Sequence, residues 1–223
     1  MNSFIENLPA TQELETPELH EAILSAQQVT VEFGTGDMPL FEIQDTHAFN
    51  TQNLYIGVNI DSKQHEFLAE KIKEVSGFAV LNEKNKDGSI DRLPIADGSV
   101  DTVFMANVFG EPDSQLIMEP FKNSDGLYKG NTDISSKIET LNEAKRLLKQ
   151  TGRIVILENN TPYKGGLSGK YDSMIELLEN GGFRIVDAVN QKDDGWVEIV
   201  AHFAKPEGWW SDGSYLVIAE KDE

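Results

Sequence analysis

The sequence contains no cysteine. That excludes a disulfide framework, a thiol nucleophile and any cysteine-ligated metal or iron–sulfur centre. No apolar run approaches the roughly 20 residues that span a bilayer, so no membrane association is expected. Met1 to Leu24 has neither a basic n-region nor a continuous apolar h-region, which reads against a signal peptide and for a cytoplasmic protein. Cations are scarce as well. Lys and Arg number 19 against 38 Asp and Glu, a formal net charge of −19. Residues 1–62 carry ten acids (Glu6, Glu13, Glu15, Glu18, Glu21, Glu32, Asp37, Glu42, Asp45, Asp61) and no Lys or Arg. There is no basic run, and arginine occurs only at positions 92, 146, 153 and 184. A nucleic-acid binder needs cations to displace counterions from phosphates, so the charge argues against nucleic acid as a partner. The acidity itself reads as a solubility device.

What is present suits one domain. The chain has 223 residues, 39% of them hydrophobic and 9% aromatic, enough for a real core and too apolar for general disorder. No internal repeat or low-complexity tract interrupts it. Residues 1–28 read as an acidic extension with one helix, Pro17 to Gln28, and residues 29–223 as the domain proper. Apolar runs predict strands at Gln28–Phe33, Leu54–Ile60, Phe78–Leu81, Val100–Ala106, Arg153–Leu157 and Phe183–Val189. Helical spacing predicts helices at Lys63–Val75, Ser135–Gln150 and Tyr171–Glu179. The helix from Ser135 places Ile138, Leu141, Ala144, Leu147 and Leu148 on one face. Alternating strands and helices imply an α/β fold, a parallel sheet covered on both faces. The tail breaks the rhythm. Trp196–Phe203 and Ser214–Glu220 read as strands with no helix between them, so the sheet should end antiparallel.

The sharpest local signal is Val31-Glu32-Phe33-Gly34-Thr35-Gly36-Asp37, a strand running into a glycine turn. Glycines there let the backbone turn tightly and approach a ligand. The second strand ends in Ile60-Asp61-Ser62, where an acid can accept hydrogen bonds from ribose hydroxyls. The 27 residues from Gly34 to Asp61 exceed the roughly 20 of a dinucleotide fingerprint, and a polar insert near Asp45 to Gln52 accounts for the excess. Then come Leu93-Pro-Ile-Ala-Asp-Gly-Ser-Val-Asp101 and the stretch Arg146 to Arg153, which crosses into the fifth strand.

In that order the four pieces resemble the class I S-adenosylmethionine-dependent methyltransferases, in particular their type 11-like domain, over roughly residues 29–190. The resemblance implies a Rossmann-like, seven-stranded, mostly parallel sheet with an antiparallel C-terminal strand and helices on both faces. It implies S-adenosyl-L-methionine as cofactor and no metal. By the same likeness Glu32 and Asp37 would flank the methionine end, and Gly34 and Gly36 would let the backbone pass beneath the cofactor. Asp61 would hold the ribose hydroxyls. Ser89 and Ile90 fall where the family contacts adenine, and Asn107 would lie near the methyl group. Asp101 and Arg153 are assigned to holding the fold, and Asp97-Gly98 reads as a simple turn. One departure stands out: the family's third glycine falls at Met38, followed by Pro39.

The implied activity is methyl transfer to a small-molecule or protein acceptor. Two alternatives stay open: an RNA methyltransferase acting on guanine or ribosomal RNA, and a degenerate cofactor-binding module. A nucleotide-dependent dehydrogenase is disfavoured by the missing third glycine. No general base is assigned, since His20, His47, His65 and His202 each suit ordinary surface or core positions. Glu158, ending the fifth strand, reads equally as a group orienting an acceptor or as a solvated strand end.

Overall fold

A computed structural model describes residues 16–35, 39–40, 52–59, 62–75, 77–81, 92–106, 108–109, 134–159, 171–190 and 214–222. Helix α1 spans Thr16–Ser25 and leads into β1, Gln28–Phe33. Strand β2 is Asn53–Asn59, α2 is Ser62–Lys71 with a 3₁₀ turn at Ile72–Glu74, and β3 is Gly77–Leu81. Strand β4 is Val100–Ala106, α3 is Ile134–Leu147 and β5 is Leu148–Asn159. Helix α4, Tyr171–Asn180, precedes β6, Phe183–Asn190, and β7, Ser214–Lys221. The expected strand Trp196–Phe203 lies outside the described residues.

The seven strands form one sheet in the order β3-β2-β1-β4-β5-β7-β6. The pairs β1–β2, β1–β4, β2–β3 and β4–β5 are parallel, whereas β7 runs antiparallel to both β5 and β6. Strands β1 and β2 are buried almost throughout, which is why they read as near-continuous apolar runs. The pleat then sorts each strand between two cores. Val29, Val31, Phe33, Val103, Met105, Ile154, Ile156 and Val217 pack with Leu19 of α1, Leu141 of α3 and Met174 of α4. Tyr55, Phe104, Val155, Leu157 and Leu216 pack on the other face with Leu68 of α2.

Helix α3 departs from expectation in two respects. It stops at Leu147 rather than Gln150, because the 97–99 turn takes over its last carbonyls. The amides of Gly98 and Ser99 donate to Arg146 O and Leu147 O, each at 2.9 Å, and Leu148 pairs with Val100 as sheet. Gly152 permits the irregular register there: a Cβ on it would lie 2.9 Å from Val100 O. The helix is also rotated. Ile138 is 43% exposed, and the buried stripe is instead Lys137, Thr140, Leu141, Ala144 and Leu147, the same helical spacing carried by polar residues at its start. On α2, Phe67 is likewise exposed, with the Lys71 ammonium 4.4 Å from its ring centroid.

The residues assigned to holding the fold do so. Asp101 Oδ2 accepts from Val29 N at 2.8 Å and from the Lys149 ammonium at 2.8 Å, tying β4 to β1 and β5. Arg153 pairs with Glu220 at 2.9 Å across β5 and β7. Arg146 Nε donates to Glu143 Oε2 at 2.7 Å, and its terminal nitrogens reach Glu143 Oε1, Asp97, Ile95 O and Leu93 O. Hydrogen bonding to Arg146 holds the Asp97 carboxyl below its ordinary value. Among the described residues no helix is long and apolar enough to cross a membrane.

Arg146→Met should lower the unfolding free energy in urea by about 2–4 kcal/mol, because it strands the buried Glu143 carboxylate without its cation. A loss under about 1 kcal/mol, the value of an exposed pair, would refute a structural role for this cluster.

Candidate functional site

In an open α/β sheet, ligands bind beyond the carboxyl ends of the strands, at the point where strand order reverses. Here the chain moves outward from β1 to β2 and β3, then returns to place β4 on the opposite side of β1. The crevice is therefore between the ends of β1 and β4. Gly34 stands there. Its φ of +68° is left-handed, a conformation other residues adopt only under strain, and its amide donates to Val58 O at 2.9 Å. A Cβ added to Gly34 would lie 3.2 Å from Val108 Cγ2. The glycine turn after β1 and the turn after β4 are thus in contact, with only backbone on the β1 side.

Glu32 is 1% exposed. Its Oε2 accepts from the Leu40 amide at 2.7 Å and from the Tyr55 hydroxyl of the neighbouring strand. A carboxylate withdrawn from water requires such donors. Their effect is to tie the chain at Leu40, beyond the glycine turn, back to β1 and β2. Thr35 and Asn59 make a second link between the tips of those strands: Asn59 Nδ2 donates to Thr35 Oγ1 at 2.6 Å, and both residues are buried. Asn59 Oδ1 has no hydrogen-bond partner among the described residues.

On the opposite face of the sheet, Glu158 is 0% exposed. The solvated strand end considered from the sequence is therefore wrong for this residue. Its Oε1 accepts from Val108 N at 2.6 Å and Phe109 N at 2.8 Å. Two groups share its surroundings. Tyr215 is its cross-strand partner on β7, and burial and the Glu158 charge push the Tyr215 phenol upward from its ordinary value. Lys137 of α3, 7% exposed, is held below the ordinary lysine value by loss of solvation, which the Glu158 charge only partly offsets.

Of the residues singled out from the sequence, Glu32 and Gly34 are placed at this crevice. Gly36, Asp37, Asp61, Ser89, Ile90 and Asn107 lie outside the described residues, as do His47 and His202. Among the described residues there is no group of three or more His, Asp or Glu side chains that could hold a metal. Sequence reading missed Tyr55, Asn59 and Lys137. Tyr55 and Asn59 stood in an apolar run, and Lys137 sits four residues before Leu141, on the buried face of its helix.

No protein-family model matches the chain. No curated protein matches it either. Solved structures do. A SAM-dependent methyltransferase from Aquifex aeolicus is 16% identical with a TM-score of 0.56, the match covering 95% of this chain and 93% of that one. A 30S ribosomal A1408 methyltransferase from an uncultured bacterium is 16% identical with a TM-score of 0.56, covering 94% and 95%. The aminoglycoside resistance methyltransferase NpmB1 is 18% identical with a TM-score of 0.58, covering 93% and 94%. At these identities the likeness establishes the fold, which is the Rossmann-like fold of the class I methyltransferases.

A lysine whose value is lowered by folding binds fewer protons folded than unfolded between that lowered value and 10.5. Stability therefore rises with pH across that window. The unfolding free energy of the wild type, taken relative to Lys137→Met, should increase as the pH is raised toward 10.5. A flat difference in urea titrations would contradict the burial of a charged Lys137.

Proposed function

We propose that the chain is an S-adenosylmethionine-dependent methyltransferase acting on a small-molecule or protein acceptor, with its catalytic domain in residues 29–223. The observation that carries this reading is the left-handed Gly34 turn at the strand-order reversal, on a sheet whose β7 is antiparallel. The residues present suit such a cofactor. A left-handed glycine at the end of β1 lets the backbone turn tightly beneath a ligand, and the buried Asn59 Oδ1 offers an acceptor at the end of β2.

In this reading Gly34 and Gly36 let the backbone run under the cofactor, and Asp37 faces its methionine end. Glu32 serves the same end indirectly, by fixing the turn through Leu40 and Tyr55. Asp61 accepts from the ribose hydroxyls, Ser89 and Ile90 flank the adenine, and Asn107 stands near the methyl group. The bound cofactor supplies an electrophilic sulfonium methyl group. The chain positions the acceptor in line with it and excludes water. We include in this reading the resemblance to the type 11-like domain, which rests on the sequence motifs alone.

A second reading has a specific observation behind it. Two of the similar structures are a 30S ribosomal A1408 methyltransferase and an aminoglycoside resistance methyltransferase. This chain would then methylate ribosomal RNA. Its net charge of −19 opposes that reading, because phosphate contacts require cations. Transfer of labelled methyl groups to purified 30S subunits, or their absence from the RNA, separates the two.

Calorimetric titration should show micromolar binding of S-adenosylmethionine and S-adenosylhomocysteine and none of NAD. Asp61→Ala should weaken that binding by about 1–3 kcal/mol, the loss expected for hydrogen bonds to a buried polar group. An unchanged affinity removes Asp61 from the site, and a folded wild type that binds neither ligand favours the degenerate module.

A further inference from the structure

Glu158 is a buried carboxylate on β5, which β4 separates from β1 in the sheet. Its Oε1 nevertheless accepts from two consecutive amides, Val108 N at 2.6 Å and Phe109 N at 2.8 Å. Those amides belong to the turn after β4. Val108 carries the Cγ2 that stands 3.2 Å from where a Gly34 Cβ would be, and Phe109 is buried in the core on the face that holds Val103 and Ile154. A chain of contacts thus runs from the tip of β5, through the 108–109 turn, to the tip of β1. Glu158 is held: it is buried, its ladder partner is Tyr215, and the Lys137 charge is near enough to feel it.

We propose that Glu158 is a positioning residue for the cofactor pocket: by binding the amides of Val108 and Phe109 it seats Val108 against Gly34 and fixes the gap between the ends of β1 and β4. The proposal rests on the methyltransferase reading for what fills that gap. The acceptor geometry of Oε1 does this work, not the negative charge. Glutamine, which keeps a side-chain carbonyl oxygen at the same reach, should therefore substitute. Leucine, of similar bulk but with no acceptor, should not.

The test combines amide hydrogen exchange with calorimetric titration of S-adenosylhomocysteine on the full chain. In Glu158→Leu, exchange at Val108 and Phe109 should speed up by about tenfold or more while the β1 amides stay protected, and the dissociation constant should rise by about tenfold. Glu158→Gln, made together with Lys137→Met so that no buried cation faces a neutral amide, should restore both to within about twofold of Lys137→Met alone. Val108→Ala offers an independent reading that leaves Glu158 intact, and it too should weaken binding. It also serves if Glu158→Leu does not fold.

Three outcomes overturn the proposal: unchanged exchange at 108 and 109 in Glu158→Leu, faster exchange with unchanged affinity, or a glutamine variant as impaired as leucine. Unchanged affinity in Val108→Ala does the same. A folded wild type that does not bind S-adenosylhomocysteine overturns the methyltransferase reading instead, and the exchange measurement then decides the Glu158 clamp by itself.

Discussion

A carboxylate removed from water must find donors, and in this chain that requirement organises the edge of the sheet where the strands end. Glu32 and Glu158 occupy the C-terminal ends of β1 and β5 on opposite faces of the sheet, and both are buried. Neither is satisfied from its own strand in the bonds seen here. Glu32 draws on the Leu40 amide and the Tyr55 hydroxyl, and Glu158 on the amides of Val108 and Phe109. Each acid therefore anchors chain that has already left the sheet. The cost of an unpaired buried charge, several kcal/mol, makes these anchors stiff. Two such anchors fix chain at the edge where the proposed chemistry would rely on positioning.

Most of the strands could be read from the sequence because burial on both faces demands apolar runs, and Gln28–Phe33 and Val100–Ala106 coincide with the observed bounds. The helices were harder at their ends. The stop of α3 depends on amides of Gly98 and Ser99, some fifty residues earlier, and no local signal near Leu147 encodes that contact. Its rotation was legible in principle. Lys137, Thr140, Leu141 and Ala144 have the spacing of one face, but counting only apolar residues selects Ile138 in place of Lys137. The site was legible where backbone conformation dictates residue type, as at Gly34 with its left-handed φ. Glu158 was not, because a charged residue closing a strand looks the same in sequence whether it meets water or two buried amides.

The same buried polar layer bears on what the molecule tolerates. Glu158 holds the 108–109 turn, and its charge raises the values of both Lys137 and Tyr215, while burial lowers the first and raises the second. A pair of opposite charges in that position is poor evidence for stability, because desolvation offsets the attraction between them. Apolar residues of equal volume would fill the space at no greater cost. They would provide no acceptor for the amides of Val108 and Phe109. The polar layer is better understood as geometry, retained where it fixes the direction of a turn that faces the crevice.

Charge bears on the proposed acceptor where the fold does not. Structures of this fold include a 30S ribosomal A1408 methyltransferase, and a fold by itself does not assign an acceptor. What differs is the surface presented to the acceptor. Each phosphate contact in a nucleic-acid complex requires a cation, and the gain comes from counterions released. In this chain several arginines are already committed: Arg146 to Glu143, and Arg153 and Arg184 to Glu220. Redirecting Arg146 to phosphate would strand the buried Glu143, whereas the exposed Arg153 and Arg184 pairs with Glu220 contribute little. An acceptor without a phosphate backbone makes no such demand. Within the proposed function, the net charge of −19 is the observation that argues for an acceptor without a phosphate backbone.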